Sequence, residues 1–268
     1  MKFTQENSED GVTERFFELT VAGATVYGVI WAPDGARGPR PLLLMGHGGS
    51  QHKLFAPFAA YGKRYAKDLQ YAVVAIDAPG HGARATPEET AQFTERFRRQ
   101  MSQGEGLGGE TLRMMLQSAA QAASEWRAVL DEVQSLDFVG TDGPVGYTGL
   151  SMGAMTGVLL AATEPRIKAA VFGLVGWHEE APQLAEAATK LTAPVEFLVQ
   201  WDDELVPRSA AMALFDAIGS AEKTLHANRT PQANSGGHPG GHGVVPLFER
   251  SGWIQFFIRH LGKATTPS

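Results

Sequence analysis

The chain has 268 residues, of which 43% are hydrophobic and 19% charged, and this composition excludes an intrinsically disordered protein because the apolar content can offset chain entropy. Its 23 Lys and Arg against 29 Asp and Glu give a formal net charge of −6, without the basic block that nucleic-acid phosphates require. The lack of cysteine excludes disulfides, a cysteine nucleophile and thiolate metal sites.

The N-terminal segment is polar and mixed in charge, without the basic start and apolar core of a signal peptide. No apolar run approaches the roughly 18 residues of a membrane-spanning helix. We therefore expect a cytoplasmic protein that binds neither a membrane nor nucleic acid.

Short apolar strands alternate along the chain with longer helical patterns, an order that is typical of a parallel sheet with crossover helices. Residues 16–21 and 25–31 are predicted to form an antiparallel hairpin at the sheet edge, with a turn at Gly23. Further strands are predicted at residues 42–45, 71–77, 145–148, 169–175, 195–200 and 223–227. Helices are predicted at residues 58–70, 110–136, 154–162, 207–218 and 246–261. These elements predict one α/β domain over residues 1–268, with a twisted, mostly parallel sheet of about eight strands and helices on both faces.

Two segments depart from this alternation. Residues 83–109 carry Phe93, Phe97 and Met101 at four-residue spacing and end in a glycine-rich stretch. This pattern fits a lid over a site as well as it fits a surface excursion that docks three apolar side chains on the core. Residues 177–190 are interpreted as a short flap.

The pattern Gly149-Leu150-Ser151-Met152-Gly153 lies between a predicted strand and a predicted helix. In that context it predicts a sharp turn that exposes the serine hydroxyl as a nucleophile, with glycine where strand and helix approach. The backbone N–H of Met152 is then predicted to donate to a developing oxyanion. A second donor is predicted at Gly49, in a glycine-rich loop after the third strand.

A serine nucleophile requires a general base, and eight histidines are available. The loop after the last predicted strand contains His238 and His242, at the sheet edge where ligands bind in such folds. His242 is favoured because it lies just before the final helix, and His238 stays open as the alternative. Their four-residue spacing would align metal ligands only on a helix, which the surrounding glycines argue against, so no metal site is predicted. His47 and His81 are interpreted as structural residues of their loops.

The imidazole requires a carboxylate to orient it. The segment after the strand at residues 195–200 offers Asp202, Asp203 and Glu204, and the chain order then runs serine, acid, histidine. Glu179 and Glu180 are rival acids, and these patterns alone leave the choice open.

Together these motifs resemble the α/β-hydrolase superfamily over nearly the whole chain, and most closely its branch of dienelactone-hydrolase-like serine esterases. The motifs that carry the resemblance are residues 47–49, 77–82, 149–153 and 203–207 and the late histidine. The resemblance implies the α/β-hydrolase fold, and it implies that Asp203, three residues before Val206, is the acid. It also supports His242. Dienelactone hydrolase itself uses a cysteine nucleophile, which this chain lacks.

We therefore predict a carboxylic-ester hydrolase that forms an acyl-enzyme at Ser151, acts on a small-molecule ester and needs no cofactor or metal, as a monomer or homodimer. An amidase, carbamate hydrolase or peptidase with the same triad is the alternative, and a non-catalytic binding protein of the same fold is a third hypothesis. An apolar substrate pocket is predicted to be lined by Trp177, Trp201, Phe93 and Phe97.

Overall fold

The computed structural model describes residues 1–102, 108–229, 242, 245 and 247–264. The strands in these ranges are β1 (Lys2–Glu9), β2 (Val12–Val21), β3 (Ala24–Pro33), β4 (Leu42–Gly46), β5 (Ala72–Ile76), β6 (Val145–Leu150), β7 (Ile167–Gly173), β8 (Val195–Gln200) and β9 (Lys223–Asn228). The helices are α1 (Ala56–Leu69), α2 (Pro87–Ser102), α3 (Gly109–Gln134), α4 (Met152–Ala161), α5 (Pro182–Thr189), α6 (Arg208–Ala217) and α7 (Leu247–Leu261).

A single sheet joins these strands in the order β1-β2-β3-β5-β4-β6-β7-β8-β9. The pairs from β1 to β3, and the pair of β3 with β5, are antiparallel. All other neighbours are parallel. Because the carboxyl ends of parallel strands lie at one edge of a sheet, the residues that directly follow β4, β5, β6, β8 and β9 share that edge.

The sheet separates two apolar cores. Leu42 and Leu44 of β4 pack in a cluster with α3 and α4, whereas Leu43 and Met45 pack in a cluster with α1 and α7. Successive strand side chains point to opposite faces, so one strand serves both cores. Within the described ranges, no helix combines the length and apolar character needed to cross a membrane.

The mostly parallel sheet with helices on both faces confirms the predicted α/β-hydrolase fold. The predicted hairpin is also present, as β2 and β3. It does not form the sheet edge, however, because β1 pairs with β2 on the outside and brings the described strands to nine. All residues of β1 are exposed, so the strand lacks the apolar alternation by which strands are recognised in sequence.

The two segments that depart from the alternation both contain helix. Residues 83–109 include α2, on which Phe93 and Phe97 are half-buried, while the side chain of Met101 lies outside the described part. Residues 177–190 include α5, whose Leu184 and Ala188 are buried in the core. Most of this second segment is therefore a helix packed on the core.

Candidate active site

The chain turns sharply between β6 and α4, and Ser151 lies at the turn. Its backbone φ is 55°, in the left-handed region that is strained for a residue with a side chain. A Cβ atom at Gly149 would overlap the backbone of Gly153, and one at Gly153 would overlap the carbonyl oxygen of Gly46. The two glycines therefore allow the close approach of strand and helix that places the serine at the start of α4.

Residues that are far apart in the sequence meet at Ser151. His242 Nε2 lies 3.2 Å from Ser151 Oγ, and His242 Nδ1 lies 2.8 Å from Asp203 Oδ2. Because an ionised carboxylate only accepts hydrogen bonds, Nδ1 donates to Asp203 and Nε2 is left as an acceptor for the serine hydroxyl. In this tautomer the imidazole can remove the serine proton.

Main-chain contacts hold the acid and the histidine in place. Asp203 Oδ1 accepts hydrogen bonds from the N–H groups of Leu205 and Val206, at 2.8 Å and 3.0 Å. Its side chain is 2% exposed, so these bonds and the imidazole compensate for the loss of water. Glu204 Oε2 accepts from the backbone N–H of His242 at 3.0 Å. Asp203 thus holds the ring of His242, and Glu204 holds its main chain.

The rival candidates lie elsewhere or outside the described residues. Asp202 is exposed and forms an ion pair with Arg229 at 3.0 Å. Glu179 and Glu180 are exposed as well. The alternative base His238 lies outside the described residues. Among the acids considered, Asp203 is the one whose carboxylate contacts the imidazole of His242.

The loop between β4 and α1 places two glycines, Gly48 and Gly49, next to Ser151. Gly48 and Gly49 line the cavity beside Ser151, and a Cβ atom at Gly49 would lie 3.1 Å from Met115 Cε. On the other side of the serine, Met152 is the first residue of α4. The first N–H groups of a helix have no partner within the helix, so the N–H of Met152 is free of intrahelical bonding.

His47 connects this loop to the loop after β5. Its Nδ1 donates to the carbonyl oxygen of Gly48 at 2.9 Å, and its Nε2 accepts from the N–H of Ala78 at 3.0 Å. Burial lowers the pKa of His47 to about 4, so the ring is neutral near neutral pH. The neutral Nδ1–H tautomer satisfies both contacts.

A cavity of about 430 Å³ opens at Ser151 and His242. Its walls are mainly aromatic and aliphatic, which suits an apolar ligand. Phe93 and Phe97 belong to these walls. Wall residues that were not predicted include Phe55, Phe58, Tyr65, Met115 and Trp253.

Trp177 and Trp201 do not line this cavity, so the expectation that they form its walls is not met. Trp201 is 44% exposed, and the guanidinium of Arg208 lies 4.1 Å from its ring centre. Trp177 is 38% exposed. Both residues follow parallel strands, as predicted. A position after a strand places the main chain of a residue near the sheet edge, but it does not determine the direction in which the side chain points.

Asp77, at the end of β5, has a role near the site that was not predicted. Its buried carboxylate accepts hydrogen bonds from Lys53 Nζ at 2.6 Å, from the Lys53 N–H at 2.9 Å and from the Ala83 N–H at 2.9 Å. The signal that could have revealed this role is an aspartate directly after a wholly apolar strand, because a buried carboxylate must be paired.

Comparison with known proteins adds sequence and fold similarity. A model of the alpha/beta hydrolase family matches residues 42–256. The structure of a cold-adapted esterase from an Arctic intertidal metagenomic library is 30% identical, with a TM-score of 0.74 over 97% of this chain and 100% of that chain. An acetyl xylan esterase from Paenibacillus sp. R4 shares the fold at 16% identity, with a TM-score of 0.67 over 97% and 88% of the two chains. None of the curated protein sequences matches this chain.

Proposed function

Because the chain belongs to the α/β hydrolase family, we propose that it is a serine hydrolase that cleaves carboxylic esters. The observation that carries the proposal is the continuous line of hydrogen bonds from Asp203 through His242 to Ser151. The similarity to an esterase at 30% identity over 97% of this chain supports the ester as the bond that is cleaved.

In the proposed reaction, His242 Nε2 takes the proton of Ser151 Oγ as that oxygen attacks the acyl carbon. Asp203 orients the imidazole and stabilises the imidazolium that forms. The N–H groups of Gly49 and Met152 donate to the oxyanion, and one such donor is typically worth a factor of ~10²–10³ in rate. The imidazolium then protonates the leaving alcohol. Water, deprotonated by His242, attacks the acyl-enzyme, and the imidazolium returns that proton to Ser151 Oγ as the acid leaves. None of these steps uses a cofactor or metal.

We also propose that α2 covers the cavity as a lid. Phe93 and Phe97 reach the cavity from this helix and stack on each other with ring centres 6.4 Å apart. With these rings in the wall, the site favours esters whose acyl or alcohol part is apolar.

The triad is tested by p-nitrophenyl ester hydrolysis, with acyl chains from acetate to dodecanoate. We expect Ser151→Ala and His242→Ala to lower kcat by ~10⁴-fold or more, because each removes a member of the proton-transfer unit. We expect a loss of about the same size for Asp203→Asn, because an amide favours the wrong tautomer of the imidazole. Asp202→Asn is the matched control, and it should keep the wild-type rate.

The proposal is contradicted if Ser151→Ala retains the wild-type rate, or if Asp202→Asn loses as much activity as Asp203→Asn. His238→Ala should remain active, and its inactivity together with full activity of His242→Ala would transfer the role of base to His238. If the wild-type protein cleaves no ester but a fluorophosphonate labels Ser151, the bond is an amide or carbamate instead.

A further inference from the structure

Two histidines outside the triad bind consecutive carbonyl groups of the loop that carries Gly49. His47 Nδ1 contacts the Gly48 carbonyl oxygen at 2.9 Å, and His81 Nε2 contacts the Gly49 carbonyl oxygen at 2.8 Å. Gly48, Gly49 and Ser50 are among the described residues that line the cavity, whereas neither histidine is. The two rings therefore contact the loop from outside the cavity.

Because the peptide bond is planar, the contacts to these two carbonyl groups also set the direction of the N–H groups of Gly49 and Ser50. In a trans peptide the C=O of one residue and the N–H of the next point in opposite directions. The Gly48 carbonyl accepts from the His47 ring and also from the N–H of Gln51 at 3.1 Å, so the N–H of Gly49 points away from that ring and towards the cavity. In the same way, a ring that binds the Gly49 carbonyl turns the N–H of Ser50 towards the cavity.

We propose that His81 is a positioning residue of the reaction, an inference that rests on the proposed function. By holding the carbonyl of Gly49, His81 fixes the peptide between Gly49 and Ser50, so that the N–H of Ser50 faces the oxyanion beside the N–H of Gly49. His47 and the N–H of Gln51 together fix the preceding peptide. The two rings together orient successive N–H groups of the oxyanion loop.

The second ring nitrogen of His81 fixes the ring itself. Nδ1 lies 2.9 Å from the carbonyl oxygen of Pro79, which also accepts a hydrogen bond from Ser118 Oγ of α3 at 2.9 Å. Both partners of the ring are carbonyl oxygens, which only accept, so each contact is a hydrogen bond that the ring nitrogen donates. The ring thus links the oxyanion loop to the loop after β5.

The main chain around His81 is held without its ring. The N–H of His81 donates to the Ala78 carbonyl oxygen at 3.0 Å, and the His81 carbonyl oxygen accepts from the N–H of Arg84 at 2.9 Å. The carboxylate of Asp77 holds the N–H of Ala83. We therefore expect this loop to keep its conformation when the imidazole is replaced.

Two amide substitutions separate the two ring contacts. The amide nitrogen of glutamine reaches the position of Nε2, so His81→Gln retains a donor towards Gly49. The amide nitrogen of asparagine reaches only the position of Nδ1, so His81→Asn retains a donor towards Pro79 alone. We expect His81→Asn to lower kcat about 10- to 100-fold and to change KM by less than about threefold. This loss should not exceed that from removing an oxyanion donor outright, because the N–H is still present and only less well oriented. We expect the kcat of His81→Gln to stay within about threefold of wild type.

A transition-state analogue provides the second readout. A trifluoromethyl ketone forms a tetrahedral adduct with a serine nucleophile, and its oxyanion occupies the same site as that of the reaction. Its inhibition constant should rise in His81→Asn by the same factor by which kcat/KM falls, and it should stay near the wild-type value in His81→Gln. Thermal unfolding of the two variants should occur at similar temperatures.

The outcomes separate this inference from the proposed function. Equal activity of both variants, whether both match wild type or both lose the same factor, overturns the role of His81 while the triad stands. A loss in His81→Asn that accompanies a lower unfolding temperature and an unchanged inhibition constant also overturns it. A wild-type protein that neither hydrolyses esters nor reacts with a fluorophosphonate would overturn the proposed function, and this inference with it.

Discussion

The strained backbone of Ser151 depends on the absence of side chains at the neighbouring glycines. A left-handed conformation at a residue with a side chain costs about 1–3 kcal/mol and persists only where the surrounding structure enforces it. Here α4 packs backbone against backbone on both β6 and β4, because a Cβ atom at Gly149 would overlap the carbonyl of Gly153 and one at Gly153 would overlap the carbonyl of Gly46. The conformation of the proposed nucleophile is therefore a property of the glycines as much as of the serine.

A pair of glycine substitutions tests this dependence. Gly153→Ala should lower the free energy of unfolding by about 2 kcal/mol or more and reduce kcat, because its Cβ atom would overlap the Gly46 carbonyl. Gly252→Ala, in α7 with open space around the added atom, should raise the free energy of unfolding by about 0.5–1 kcal/mol through helix propensity. Urea unfolding followed by circular dichroism measures both changes, and equal effects would contradict the close approach.

The residues of the proposed triad could be selected from the sequence, whereas most of the cavity wall could not. Ser151 is marked by a turn that only a strand-to-helix junction with glycines allows. Phe55 and Trp253 line the cavity from the start of α1 and from α7. Their apolar character is the same as that of core residues, and only the three-dimensional packing decides which of them face a cavity.

At the level of elements, the carboxylate of Asp77 joins three of them. It binds Lys53 from the loop before α1 and Ala83 from the turn after β5, and Asp77 itself directly follows β5. The same carboxylate occupies the space that a side chain at Gly82 would need, and Gly82 has a positive φ of 55°. The loop that carries Gly48 and Gly49 and the loop after β5 are therefore tied to one buried ion pair.

Removing one partner of this pair should be costly. Asp77→Asn should lower the free energy of unfolding by about 3 kcal/mol, because it leaves the ammonium of Lys53 buried and unpaired. Adding Lys53→Met should recover part of that loss, since the unpaired charge is gone. Asp68→Asn, which breaks an exposed pair with Arg64, is the control and should change the free energy by less than about 0.5 kcal/mol. Additive effects of the two substitutions at Lys53 and Asp77 would contradict the coupling.

The accuracy of the predicted elements depends on their length and amphipathic character. The helix predicted at residues 110–136 is observed as Gly109–Gln134, since its apolar residues recur over many turns. The helix α5 was not predicted, because its eight residues span only about two turns and show too little periodicity. The strand β1 was not predicted because none of its residues is buried.

For the whole molecule, acid stability is set by buried groups that act in opposite directions. Burial lowers the pKa of His47 from 6.5 to about 4, so below pH 6.5 the unfolded chain binds a proton that the native chain does not. Native stability due to His47 is thus full above pH 6.5 and is lost as the pH falls towards 4. Burial raises the pKa of Glu196, so the native state binds that proton first and gains stability as the pH falls.

Comparison with His47→Asn isolates the histidine from the other groups. We expect the free energy of unfolding of the wild type to fall by up to about 3 kcal/mol more than that of His47→Asn between neutral pH and about pH 4. The asparagine amide retains a donor towards the carbonyl of Gly48 but does not titrate. Urea unfolding at a series of pH values gives both curves, and parallel curves would show that His47 is not buried in its neutral form.

The outermost strand bears on how copies of the chain meet in solution. β1 ends the sheet, and an unpaired strand edge is a template on which a second molecule can extend the sheet. The exposed residues of β1 include the charged side chains Lys2, Glu6 and Glu9, which discourage such extension. Its pairing with β2 also shifts register between Phe3 and Gln5, an irregularity that bends the edge. We therefore expect the strand that contributes least to the core to limit the growth of intermolecular sheets.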